Sequence, residues 1–387
     1  MRPKPITILP LVLAPCLLAL LAPLLLAACR AARPGSLAVE NPWPARAEAA
    51  QRALRELYFD DLTGLYNISH PNRESKDPLM YWWQAHTIDA LVDGYQRSHD
   101  QSYLDRAAAL WDSVKRHNLA PTNQYYDDME WMALALLRLH AHTDNGELRA
   151  DIDTLWADIK TGWNDQQGGG IAWRKTQPGY KNTPANAPAA ILAARLYQQT
   201  RDPEDLAWAQ KIYAWLTDHL VDPDTGFVWD GVNRKGDGRT DKTWAFSYNQ
   251  GVRIGAAVEL YRATGEARYL ADARRTFDSA IARLADERGL IREAGGGDRG
   301  LFKGSFFRYV GLWADTDPQA DPQARPDADR CIQRHAEDLW QRIADRDPLL
   351  VPPDWTGAGD TPVDLSVQLS GVMLLERMAA RPVATTD

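Results

Sequence analysis

The stretch APAAILAARLYQQTRDPEDLAWAQKIYAWLTDHL, residues 187–220, decides the fold. Its first eleven residues put small and apolar side chains on most faces of a predicted helix, which therefore belongs inside a larger body. A polar turn around Asp202 leads into DLAWAQKIYAWLTDHL, an amphipathic helix with a charged face that belongs outside. One inner helix, a tight turn and one outer helix make a hairpin.

The hairpin recurs. Similar turns lie around Asp100, Asp144, Asp202 and Glu266, spaced 44, 58 and 64 residues apart. Helices are predicted near 45–59, 81–98, 101–117, 128–142, 147–160, 185–200, 203–219, 248–264, 267–285, 304–315, 327–345 and 364–380. Those at 81–98, 128–142, 185–200 and 248–264 are of the inner kind. A period of this size signals a repeat architecture, and about six hairpins give an all-α, (α/α)6 toroid with inner and outer rings. An open helical solenoid satisfies the same periodicity.

The N-terminus reads differently. MRPKPITILPLVLAPCLLALLAPLLLAAC combines Arg2 and Lys4 with an apolar run broken by Pro10, Pro15 and Pro23, the build of an export signal. LAAC at 26–29 resembles a bacterial lipobox, so residues 1–28 are expected to be a lipoprotein signal peptide. Cys29 is then the lipidated first residue, 29–44 a tether, and 45–387 the catalytic domain. The expected location is the cell envelope, in a Gram-negative cell the outer membrane or periplasm, with the lipid as the sole membrane contact. Cys331 would then have no partner for a disulfide and is expected to be buried.

The charge of −8 becomes −10 without the two basic residues of the signal, and no basic stripe offsets it, which excludes a nucleic-acid partner. Trp outnumbers Phe by 15 to 7, and the flat apolar face of an indole suits a sugar ring as well as a core. If the inner helices run parallel, their N-termini open at one end. The segments leading into them are rich in aromatic, amide and glycine residues: MYWWQAH (80–86), NQYYDDMEW (123–131), GGGIAWRKTQPGYKNTPANAP (168–188), DKTWAFSYNQG (241–251) and GGGDRGLFKGSFFRY (295–309).

Within the second segment, Asp127 and Asp128 stand side by side. An aspartate followed three residues later by Glu130 is a capping-box pattern. A cap needs one aspartate, however, and adjacent Cα atoms about 3.8 Å apart let two carboxyls reach the roughly 5–5.5 Å of a retaining glycosidase. A helix start favours an ionised carboxylate, while a like charge beside it opposes a second ionisation. Capping and catalysis are thus compatible. No HExxH, P-loop, paired cysteines or G-x-S-x-G elbow is present. His86 reads as a core histidine that could alternatively meet a sugar hydroxyl, and the GGG runs as close-packed loop backbone.

The segments YWWQAHTIDALVDGY from Tyr81, YDDMEWMALALLR from Tyr126, GGGIAWRK from Gly168, NAPAAILAARLY from Asn186, LVDPDTGFVWDG from Leu220, YNQG from Tyr248 and LFKGSFFRY from Leu301 resemble, in order and rough spacing, glycoside hydrolase family 76. This bacterial α-1,6-mannanase family is related to fungal cell-wall transglycosidases. The resemblance covers about residues 45–380. It implies the (α/α)6 fold, retaining endo-hydrolysis of α-1,6-linked mannan, and no metal or other cofactor. By position it makes Asp127 the nucleophile and Asp128 the acid/base. It also puts Trp82, Trp83, Tyr126, Trp131, Trp173, Tyr248, Asn249 and Gln250 at the substrate, lining or supporting the groove, with only one of Trp82 and Trp83 touching sugar. Ala172, where the family usually has a second aromatic, and TWAFS at 243–247 depart from its pattern.

The expected protein is a monomeric, exported, lipid-anchored endo-α-1,6-mannosidase acting on α-mannan polysaccharide or oligosaccharide. Transglycosylation of mannan or a GPI glycan is the alternative enzyme reading. A surface glycan-binding lipoprotein is the alternative outside catalysis, opposed by the adjacent, mutually repelling carboxylates.

Overall fold

The computed structural model describes residues 41–72, 79–143, 145–355 and 362–381; Cys29, the signal segment and most of the tether lie outside these. Among the described residues twelve α-helices follow one another: α1 (Trp43–Tyr58), α2 (Tyr81–Ser98), α3 (Ser102–Asn118), α4 (Tyr126–His140), α5 (Gly146–Thr161), α6 (Ala187–Thr200), α7 (Pro203–Leu220), α8 (Ser247–Thr264), α9 (Arg268–Leu284), α10 (Phe302–Ala314), α11 (Ala324–Ile343) and α12 (Leu365–Ala379). Each matches an expected helix. The body begins two residues early, because Trp43 is buried and Pro44 lies in the first turn of α1.

The even-numbered helices form the inner ring and the odd-numbered ones the outer. Around the inner ring α2, α4, α6, α8, α10 and α12 each pack on the next, and α12 closes the circle on α2 while α1 covers α12. The toroid is therefore closed, and an open solenoid is excluded. On α8 every residue from Ser247 to Leu260 is buried, whereas α9 buries a single stripe including Leu270, Ala273, Phe277 and Ala280. That is the alternation of all-round and one-sided apolar patterns read from the sequence. Glycine permits the closest inner approach: a Cβ on Gly251 of α8 would sit 2.6 Å from the Phe306 Cα of α10.

Side-chain amides tie the loops to the inner helices. Gln84 of α2 donates to the Tyr66 carbonyl at 2.8 Å and accepts from its N–H at 3.1 Å. Gln250 of α8 does the same to Val228 at 2.7 and 2.9 Å, and Asn186, before α6, to Ile171 at 2.9 and 2.8 Å. Each clamp satisfies a buried backbone donor and acceptor that no regular structure reaches.

Three two-residue ribbons complete the loops: β1 (Phe59–Asp60) with β2 (Leu65–Tyr66), β3 (Ser69–His70) with β6 (Val363–Asp364), and β4 (Lys181–Asn182) with β5 (Gly231–Val232), all antiparallel. The last aligns Asn182 with Gly231 and so brings Tyr180 beside Asp230. Among the described residues no helix is long and apolar enough to cross a membrane.

Candidate active site

The inner helices open at one end into a cavity of about 810 Å³. Tyr81 and Trp82 from α2, Asp127, Asp128 and Trp131 from α4, Tyr248 from α8 and Phe302 from α10 line it. Tyr125, Trp173, Tyr180, Asp230, Trp244, Phe246 and Asp298 join them from the loops. The five polar-aromatic segments thus converge on one mouth.

Asp127 and Asp128 occupy the first turn of α4, whose N-cap is Tyr125 and carries no side-chain cap bond. The capping box is therefore absent. Asp127 Oδ1 accepts the Asp128 N–H at 3.1 Å and its Oδ2 the Trp173 indole N–H at 3.1 Å. Asp128 Oδ2 accepts the Asn123 amide at 2.7 Å. Trp173 is delivered by a loop stitched to the entry of α4: its carbonyl accepts the Tyr126 N–H at 3.0 Å and its N–H reaches the Tyr180 carbonyl at 3.0 Å. Burial, then the neighbouring Asp128 charge, pushes Asp127 well above the usual carboxylate range, against the two N–H donors that favour its ionised form. Two carboxylates placed side by side resist ionising together.

Glu130 is no cap either. It is fully buried one turn deeper, raised by burial and by Asp127, with the Ala189 amide opposing the shift.

A third carboxylate faces the cavity. Asp230 is buried and accepts from Tyr180 Oη at 3.0 Å, Tyr248 Oη at 3.1 Å and Asn249 Nδ2 at 3.2 Å. Burial raises its pKa while these neutral donors resist. The Tyr248 ring stacks on Phe302 at 3.8 Å and 5°.

Of the expected substrate residues, Trp82, Trp131, Trp173 and Tyr248 line the cavity. Four do not. Tyr126 turns away, its hydroxyl 3.3 Å from Thr161 Oγ1, because it points from α4 toward the outer helix α5; Tyr125 takes the place in the wall. Trp83 is buried behind Trp82, since successive helical residues diverge. Asn249 and Gln250 are fully buried supports, one holding Asp230 and the other committed to the Val228 backbone. The expectation that one of Trp82 and Trp83 reaches the groove selects Trp82.

His86 lies under the floor, 4.9 Å from the Trp131 ring and 5.5 Å from Trp82, and burial lowers its pKa to about 4. It is a buried histidine that does not line this cavity. Gly168, Gly169 and Gly170 all take positive φ, as close-packed loop backbone should. Lys303, of LFKGSFFRY, is buried 4.0 Å over the Trp355 ring and lowered to about 7 by burial. Cys331 is buried and free. No group of three or more His, Cys, Asp and Glu side chains among the described residues is placed to hold a metal ion.

Sequence reasoning passed over Asp230, Asp298, Tyr125 and Tyr180. Asp230 and Asp298 each lie beside glycine in aromatic-rich segments, WDG and GGDRG, and that juxtaposition was the available signal.

Comparison with known proteins matches residues 43–386 to the profile of Glycosyl hydrolase family 76. A solved α-1,6-mannanase from Salegentibacter sp. superposes with a TM-score of 0.81 at 39% identity, covering 87% of this chain and 99% of that one. An inactive variant of that enzyme, with two consecutive aspartates replaced by alanine, is solved with α-1,6-mannotetraose; it superposes with a TM-score of 0.81 at 38% identity, covering 87% and 98%. A mannan endo-1,6-alpha-mannosidase of Candida glabrata is 26% identical over 274 residues, 64% of this chain and 61% of its own length. The chain thus spans about three fifths of that curated relative.

Proposed function

Because the chain belongs to glycosyl hydrolase family 76, we propose that its groove hydrolyses α-1,6-linked mannan at internal bonds with retention of configuration. The observation that carries this reading is the adjacent pair Asp127 and Asp128 on the floor of an aromatic-lined cavity. The Salegentibacter enzyme, inactive when two consecutive aspartates are replaced, supports it.

In the first step the Asp127 carboxylate attacks the anomeric carbon, the bond from that carbon to O6 of the next mannose breaks, and the Asp128 proton passes to that oxygen. A mannosyl ester on Asp127 results. In the second, Asp128 takes a proton from water, the water oxygen bonds to the anomeric carbon and the ester breaks. Trp173 and the Asp128 N–H hold Asp127 in place and favour its charge before attack. Asp230, fixed by three donors, has its remaining acceptor capacity for sugar hydroxyls.

The test is digestion of linear α-1,6-mannan by residues 30–387. Mannobiose-to-tetraose ladders with the α-anomer formed first, lost in Asp127→Asn and Asp128→Asn, are expected. Binding of intact polymer without cleavage would contradict the reading and leave a glycan-holding protein.

The chain is further read as an exported lipoprotein on the strength of its N-terminal sequence alone. Acylation of Cys29, read by mass spectrometry and abolished by Cys29→Ser, is the expected result; an unmodified or uncleaved N-terminus would contradict it.

A further inference from the structure

Two neighbouring indoles share one acceptor. The Nε1–H groups of Trp82 and Trp83 both donate to Oδ1 of Asp298, at 2.9 and 3.2 Å, across 216 and 215 residues of chain. Asp298 is exposed, lines the cavity and belongs to the loop that enters α10. That loop is anchored independently, by the Gly297 N–H on Asp364 Oδ2 at 2.7 Å and by Ser366 Oγ on the Gly297 carbonyl at 2.7 Å. The carboxylate is therefore held by the backbone beneath it, and it in turn fixes the indoles.

The consequence for Trp82 is chemical. With its single N–H donor spent, it presents only its ring face, packed 6.3 Å from Trp131. A ring without a free donor recognises the C–H face of a pyranose and leaves hydroxyl recognition to a neighbour. Asp298 Oδ2, which has no hydrogen-bond partner among the described residues, is that neighbour.

Resting on the mannan reading above, we propose that Asp298 and Trp82 form one sugar subsite: Asp298 Oδ1 positions the indole, the indole stacks on a mannose, and Asp298 Oδ2 accepts one of that mannose's hydroxyls. Asp298 is a positioning and specificity residue that takes no part in bond breaking. Its charge also raises Asp127, which supplies a readout that a purely structural loop residue would not move.

The test compares wild type, Asp298→Asn, Asp298→Ala and Trp82→Phe on α-1,6-mannotetraose. The alanine variant should raise KM about tenfold with kcat changed less than about threefold, and should alter the near-ultraviolet circular dichroism of the indoles. The asparagine variant, which keeps an acceptor oxygen, should preserve that spectrum. It should also move the acid limb of kcat/KM to lower pH, because removing a negative neighbour lets Asp127 ionise more easily. Trp82→Phe with Asp298→Ala should be less damaging than the product of the single effects. A KM for Asp298→Ala within twofold of an active wild type, or multiplicative effects in the double variant, would overturn the subsite and leave the mannan reading standing. A wild type inert on the tetraose would remove that reading and the subsite with it.

Discussion

At one end of the inner barrel Asp89 meets Arg138 and Arg308; at the other, Asp127 meets a second carboxylate and two N–H donors. Both are aspartates on inner helices in largely buried surroundings. Burial works against the charge of each, yet the two arginines bring Asp89 down to about 2, whereas Asp127 is driven well above the ordinary range. The middle and last turns of the inner helices carry ion pairs. Arg138 and Arg308 both bridge to Asp93, at 2.6 and 2.7 Å, Arg97 binds Glu376 at 2.9 Å, and Arg195 binds Glu259 at 2.7 Å. The first turns of α2, α4, α8 and α10 carry aromatic rings, and that of α4 also two carboxylates. The barrel is locked at one end with paired charge and left reactive at the other, where an unpaired carboxylate can bind a developing positive centre.

Replacement at the open end should break activity without breaking the fold. Asp127→Asn or Asp128→Asn should lower kcat about 10³-fold or more on α-1,6-mannan, with an unchanged circular dichroism spectrum. Replacement at the locked end should do the reverse. Arg138→Ala leaves Asp89 and Asp93 to share Arg308, so that one buried carboxylate charge goes uncompensated, and should cost about 3–5 kcal/mol of stability in a denaturant titration. Folded Arg138→Ala protein should retain kcat within about threefold of wild type. An Arg138→Ala variant as stable as wild type would mean that the ion pairs do not lock the barrel.

Asp230 occupies an intermediate position, fixed by neutral donors and open to the cavity. Asp230→Asn should reduce kcat/KM about 10–100-fold, the range for losing a charged hydrogen-bond partner. Melting should stay close to that of wild type.

The smallest effect concerns pH and sharpens the same contrast. Asp127 has a raised folded pKa, so its ionisation opposes folding above the unfolded carboxylate value and acid relieves that strain. Asp127→Asn should therefore be more stable than wild type at pH 7. Asp89 has a lowered folded pKa, so its stabilisation is present above the unfolded value and is lost as pH falls through about 2. Activity should consequently disappear on acidification before the fold does, as simultaneous activity and ellipticity profiles would show. Coincident loss would contradict it.

The sequence made the helices legible because their burial patterns differ in kind, all-round on α8 and one-sided on α9. It did not reveal the ribbons, since strands of two residues such as β4 and β5 carry no periodicity. The adjacent aspartates, Trp82, Trp131, Trp173 and Tyr248 were legible as cavity residues from their place in the segments that lead into the inner helices. Tyr126 was misplaced because chain position does not say which way a side chain turns, and a one-residue step separates Tyr125 in the wall from Tyr126 behind it. Asp298 was hidden for another reason: its indole partners lie more than two hundred residues away, and only the closed ring brings them together.

The central claim is that the uncompensated carboxylate at the open end is a nucleophile. Treating the protein with a mannose-configured epoxide that esterifies glycosidase nucleophiles, followed by peptide mass spectrometry, tests it directly. The account predicts one sugar-sized adduct on Asp127, prevented by α-1,6-mannotetraose. An adduct on Asp128 instead, or no adduct from protein that cleaves mannan to the inverted anomer, would contradict it.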